Sequence, residues 1–101
     1  MSRVALIGTI EFEPGARAEV LRAVLVHRER SLRDEPGTLA FEVLVPDDAP
    51  AKLLIYEVYA DAAAFALHMG AASITTLRAQ VGSKLVAMSA VRCTPGEAFP
   101  A

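Results

Sequence analysis

Apolar residues recur along this chain with two spacings, every second residue in some stretches and every third or fourth in others. From Arg3 to Glu11, Val4, Leu6, Gly8 and Ile10 fall on one face of an extended segment, and Ala5, Ile7 and Thr9 on the other. Both faces are largely apolar, which predicts a strand covered on both sides. Gly8 leaves room for something to approach the backbone, and Pro14-Gly15 ends the strand. Helical spacing takes over from Ala16 to about Asp34. Val20, Val24, His27 and Ser31 form its core-facing stripe, with Leu21, Leu25, Arg28 and Leu32 in the row beside it. That stripe turns polar at its C-terminal end. Glu35-Pro36-Gly37 stops the helix, because the residue before a proline leaves the α region and glycine supplies the turn.

Alternation returns at Thr38–Val45, where Leu39, Phe41, Val43 and Val45 share a face. Pro46 to Pro50 predicts an exposed hairpin loop. Lys52–Tyr59 is a third strand, antiparallel to the second. Leu53, Ile55, Glu57 and Tyr59 lie on one side of it, and Leu54, Tyr56 and Val58 on the other. Asp61 is an N-cap for a short helix, Ala62–Met69, broken at Gly70. A second helical stretch, Ala72–Val81, carries Ile74, Leu77, Arg78 and Val81 on one stripe and ends at Gly82. Lys84–Cys93 is the last strand, and residues 93–101 form a short tail. The order β-α-β-β-α-β predicts a ferredoxin-like α+β fold: a four-stranded antiparallel sheet with helices on one face. The other face is apolar too, so the expected partner is a second copy of the chain, a homodimer through the open sheet face.

Composition narrows the function classes. A length of 101 residues, 53% of them hydrophobic and 22% charged, fits a single globular domain spanning 1–101. The net charge is −2 and the cations are scattered, which argues against nucleic acid. No apolar run approaches the roughly 20 residues of a membrane span. The N-terminal stretch lacks the pattern of a signal peptide, so the cytoplasm is the expected location. Cys93 is the only cysteine, which excludes an intrachain disulfide and a cysteine metal cluster.

The candidate chemistry gathers in Ile55–His68, where a carboxylate, two phenols and an imidazole stand in apolar surroundings. Glu57, flanked by Ile55 and Tyr59, is either an acid or base with a raised pKa or a paired structural carboxylate. His68 is either a proton acceptor or a cap on the last carbonyls of its helix. His27, on an apolar stripe, is either a satisfied core residue or, with Ser31 one turn later, part of a polar patch over a cavity. Tyr59 and Phe41 are placed to stack a flat ligand or simply to fill the core. Two histidines and scattered acids offer no metal-ligand spacing, so no metal site is expected. There is no nucleophile elbow and no phosphate loop.

Several segments together carry a resemblance. They are Ser31-Leu32-Arg33-Asp34-Glu35-Pro36-Gly37, Phe41-Glu42-Val43-Leu44, Leu54-Ile55-Tyr56-Glu57-Val58-Tyr59, and Asp61-Ala62-Ala63-Ala64-Phe65 with His68. Over almost its whole length the chain resembles the antibiotic biosynthesis monooxygenase family, in the small bacterial branch close to quinol monooxygenases. The resemblance implies a dimeric α/β barrel architecture with a substrate cavity between sheet and helices. It also implies oxygenation without flavin, haem or metal, so no cofactor is expected. It points to Glu57, His68 and His27 as catalytic residues and to Tyr59 and Ser31 as substrate contacts; Phe41, by its ring, and Ser73, by its hydroxyl, are the further candidates for substrate contact. The implied partners are a small phenol, hydroquinone or polyketide-like aromatic and O2. Relatives often carry a second histidine where this chain has Ser73, which counts against a mechanism with two imidazoles on the second helix. The alternatives are an isomerase or tautomerase of the same fold, and a non-catalytic dimeric ligand-binding module.

Overall fold

A computed structural model of the chain describes residues 2–100. The strands are β1 (Val4–Phe12), β2 (Thr38–Leu44), β3 (Lys52–Tyr59) and β4 (Leu85–Cys93). The helices are α1 (Arg17–Asp34), α2 (Ala62–Met69) and α3 (Ala72–Val81). All strand pairs are antiparallel and the sheet order is β2-β3-β1-β4, the ferredoxin-like arrangement. The sheet stays open within the chain, with β2 and β4 as its edges, and does not close into a barrel.

Side-chain alternation decides what the core contains. Ile10 and Phe12 of β1, Phe41 of β2 and Leu53 and Ile55 of β3 point toward the helices. They meet Val20 and Val24 of α1 and Val81 of α3. The buried residues of α1 are Val20, Val24, His27 and Ser31, the stripe expected from spacing. The expected two-sided cover of β1 is not found within one chain. All the helices lie on one face, so Ile7 on the other is exposed. Tyr56 of β3 and Val91 of β4 are exposed as well. Gly82 does not stop α3 with a left-handed residue. It is right-handed helical and opens a 3-10 turn, Gly82–Lys84, that delays β4 to Leu85.

Two local features fix α2 against the α1–β2 turn. Asp61 has extended backbone geometry, and its Oδ1 accepts the Ala64 N–H at 2.8 Å, satisfying one of the free donors of the first turn. The Ala60 N–H donates to Gly37 O at 2.8 Å, and a Cβ built on Gly37 would run into the Ala64 side chain. Glycine stands at 37 because the two segments touch there, not because the turn is left-handed. Gly37→Ala must therefore push the turn off α2. We expect a loss of about 1–3 kcal/mol in urea unfolding, the usual range for overpacking. An unchanged midpoint would refute the close contact.

Candidate functional site

A cavity of about 170 Å³ lies between the helices and the sheet. Its walls are almost wholly apolar. Leu6, Gly8 and Ile10 of β1 form part of the floor, and Met88 and Ala90 of β4 continue it. Ile74, Leu77 and Val81 of α3 cover it. Gly8 contributes by what it lacks. An added Cβ would meet Ile55 and the Ser89 carbonyl only at 3.7 Å, so the fold has room for a side chain there, and its absence opens the floor.

Polar groups collect on one wall, where His27, Glu57 and His68 face the cavity. They belong to a chain of contacts that runs deeper. His68 is 2% exposed. Its Nδ1 lies 2.7 Å from Glu35 Oε1 and its Nε2 lies 3.6 Å from Glu57 Oε1. With Glu35 as a carboxylate, Nδ1 carries the hydrogen and donates it, and Nε2 is left facing Glu57 and the cavity. Glu35 Oε1 also accepts the Thr38 hydroxyl at 2.8 Å. Glu57 Oε1 in turn accepts a short hydrogen bond from the Tyr59 hydroxyl. The order Glu35–His68–Glu57–Tyr59 thus joins the α1–β2 turn, α2 and β3.

Burial sets the electrostatics. It raises the Glu57 carboxyl above the ordinary range, against the opposing effects of the Tyr59 hydrogen bond and the His68 ring. Burial also pushes the Tyr59 phenol up, and the Glu57 charge pushes the same way, so Tyr59 stays a neutral donor. The His27 imidazole falls to about 4, first because it is buried and next because His68 is adjacent, with ring centroids 5.2 Å apart. Its Nδ1 is buried with no hydrogen-bond partner among the described residues.

This arrangement sits in a recognisable frame. A family model described as antibiotic biosynthesis monooxygenase matches residues 3–80. The chain belongs to the antibiotic biosynthesis monooxygenase family. Its backbone superposes on a Nitrosomonas europaea protein named for the same family, with TM-score 0.88 and 23% identity over 94% of this chain and 91% of that one. A Caulobacter crescentus protein, also named for the family, gives TM-score 0.87 and 19% identity over 91% and 88%. A Mycobacterium tuberculosis protein gives 0.83 and 25% over 93% and 95%. No curated protein matches the chain.

Within this antibiotic biosynthesis monooxygenase domain, the residues singled out from sequence separate into groups. His27, Phe41, Glu57 and His68 line the cavity together. Tyr59 does not line it. It is fully buried behind Glu57, with its ring 5.1 Å from His68 and 5.4 Å from Phe65. Ser31 is also fully buried, and its hydroxyl donates to the His27 carbonyl at 2.9 Å, one helical turn back. Ser73 stands apart in the first turn of α3, on a separate open groove with Arg30 and Asp34. Arg28 is spent outside the cavity on the Phe41 carbonyl, Glu29 and Glu42. Glu35 is the residue that spacing missed, because its place before Pro36 already explained it as a helix stop. Its signal was a carboxylate one turn beyond Ser31 on the buried stripe.

The depressed His27 value has a consequence for stability. Folded His27 stays neutral down to about 4, whereas unfolded it protonates near 6.5. The unfolded chain therefore binds more protons between these values. Stability is fully present above the upper one and falls as pH drops toward the lower, by roughly 3 kcal/mol. Glu57 works oppositely: its raised folded pKa adds stability at low pH that is lost as pH rises. His27→Gln isolates the histidine. Urea unfolding at about pH 7 and pH 4.5 should show a smaller acid-side loss in the variant than in the native chain. Equal losses would overturn the assignment.

Proposed function

We propose that this domain is a cofactor-independent monooxygenase that oxidises a small phenol or hydroquinone with O2. The observation carrying the reading is an apolar cavity with an imidazole–carboxylate pair on one wall. An apolar cavity of about 150 Å³ is large enough to stay dry and hold a benzene ring, so the volume here suits one substituted ring. Phe41 would pack against the ring face. His27, neutral, would border the ring on the same wall as His68 and Glu57.

The chemistry needs a base and a water-poor chamber. His68 Nε2 takes the proton of the ring hydroxyl, while Glu35 stabilises the imidazolium. The phenolate gives one electron to O2, which leaves a phenoxyl radical and superoxide. These combine at a ring carbon ortho or para to the oxygen, and the peroxide anion takes the proton back from His68. Glu57, as carboxylate, removes the hydrogen on that carbon as the O–O bond breaks. Hydroxide leaves and receives that proton as water, and the carbon becomes a quinone carbonyl. One atom of O2 ends in the ring and the other in water. Tyr59 holds Glu57 in place. A phosphorylated substrate for the isomerase reading fits less well, because it needs a cluster of cations, and with Arg28 paired to Glu29 and Glu42 only Arg78 stands on the cavity wall among the described residues.

His68→Ala should lower kcat/KM for O2 consumption on a responsive quinol by about 10²–10⁴-fold, and Glu57→Gln should lower it too. If both variants consume O2 like the native chain, the reading is wrong. Substrate conversion without O2 would favour the isomerase or tautomerase reading. Ligand stabilisation in a thermal melt with no turnover in either atmosphere would favour a binding module.

The reading includes a homodimer through the open sheet face. The support is the exposed apolar surface of Ile7, Leu44, Tyr56 and Val91, which is unusual to leave in water. Sedimentation equilibrium should give twice the chain mass, and Ile7→Asp should shift it to the monomer. A native monomer at micromolar concentration would refute the dimer.

A further inference from the structure

We propose that Glu35 is a proton port: it passes protons between His68 and a solvent groove on the outside of the domain, so that the imidazole exchanges with bulk water without using the ligand cavity. The geometry is a single relay with two ends. At the inner end His68 Nε2 faces Glu57 and the cavity. At the outer end Nδ1 meets Glu35 Oε1 at 2.7 Å. Glu35 does not line the cavity. Its side chain, 11% exposed, lines the open groove formed with Arg30 and Asp34 of α1, Leu67 of α2, and Ser73 and Thr76 of α3. The imidazole thus stands between the apolar cavity on one side and the open groove on the other.

Such a placement answers a physical problem. An organic ring filling the cavity displaces the water through which a buried base would otherwise reach protonation equilibrium. With a port, a proton arriving at Nε2 is balanced by release of the Nδ1 hydrogen to Glu35 Oε1. The N–H bond breaks, an O–H bond forms, and the acid hands that proton to water in the groove. Uptake runs the same path in reverse, and no oxidant or reductant is involved. The titratable and charged groups around the relay are His27, Arg30 and Asp34 of α1, and Glu57 and Tyr59 of β3. From β2, Thr38 adds its hydroxyl as a donor to Glu35 Oε1.

The proposal rests on the cavity being the ligand chamber but not on O2 being the oxidant, and its test needs no turnover. Exchange of the His68 ring N–H with water is measured by NMR on the 15N-labelled chain, free and with excess toluene as an inert ring. Glu35→Gln keeps an oxygen that accepts from Nδ1 and Thr38 but cannot carry a proton. It should slow exchange on the order of tenfold or more, while Glu35→Asp, which retains a carboxylate, exchanges faster than Glu35→Gln. Glu57→Gln should leave the rate near native, and toluene should not protect the ring. A second variant, Ser73→Trp, covers the groove without touching the relay and should slow exchange as well. Unchanged exchange in Glu35→Gln and Ser73→Trp, or slowing confined to Glu57→Gln or to toluene, would overturn the port. Loss of O2 consumption in every chain with the exchange pattern intact would instead remove the oxygenase reading alone.

Discussion

Two carboxylates and an imidazole buried in a domain of 101 residues impose the tightest constraint on this structure. Each buried charge without a partner would cost several kcal/mol, comparable to the whole stability of a domain this small. The contacts divide that cost among five side chains. Glu35 receives Thr38 and His68, and Glu57 receives Tyr59 and faces the other edge of His68. None of these pairings is local except Glu35 with Thr38 and Glu57 with Tyr59. The rest require the α1–β2 turn, β3 and α2 to be held in register. The Gly37 contact and the Asp61 cap act on that register, so the packing at the turn and the electrostatics of the cluster stand or fall together.

The cavity follows from the same economy. Protein interiors are close-packed, and an unfilled volume costs stability in proportion to its size. Here it is bordered by small residues, Gly8 and Ala90, and by β4, where Met88 on the cavity floor and Val86 on the same strand face remain exposed. A cavity beside a costly polar cluster is a poor arrangement for stability alone. It is a coherent one for a domain that accepts an apolar ring and acts on a hydroxyl at its edge.

Much of this was legible in the chain, for reasons that can be stated residue by residue. Periods of two and of three to four separate the elements cleanly, because each element buries one face and the faces are Val, Leu and Ile rich. The stripe Val20, Val24, His27 and Ser31 is the buried side of α1, and Glu57 and Tyr59 share a strand face as alternation requires. What alternation cannot give is the depth of each side chain. Tyr59 and Ser31 lie on the correct faces yet end behind the cavity wall, because their polar atoms are consumed by Glu57 and by the α1 backbone. Ser73 begins α3 before that helix reaches the cavity. Glu35 was hidden for a different reason: a residue before proline has a sufficient local explanation, and its long-range partner His68 is 33 positions away.

The position of one imidazole between two carboxylates also bears on whether a second imidazole is needed on α2 and α3. Under the proposed reading, count the charges with Glu35 and Glu57 both as carboxylates and His68 neutral. The cluster carries two negative charges. When the ligand hydroxyl gives its proton to His68, the cluster keeps one and the ligand carries the other. Net buried charge does not change. One unit of it moves from the cluster to a phenolate, which is far cheaper in an apolar interior than adding to the net charge. A second histidine would supply another proton acceptor but would not improve this balance. Glu35 already fills the complementary role by holding the imidazolium, as a carboxylate behind a catalytic histidine does in unrelated enzymes. Ser73 at the outer groove is then compatible with catalysis, since the group that completes the base lies one helix turn beyond Ser31 rather than on α3.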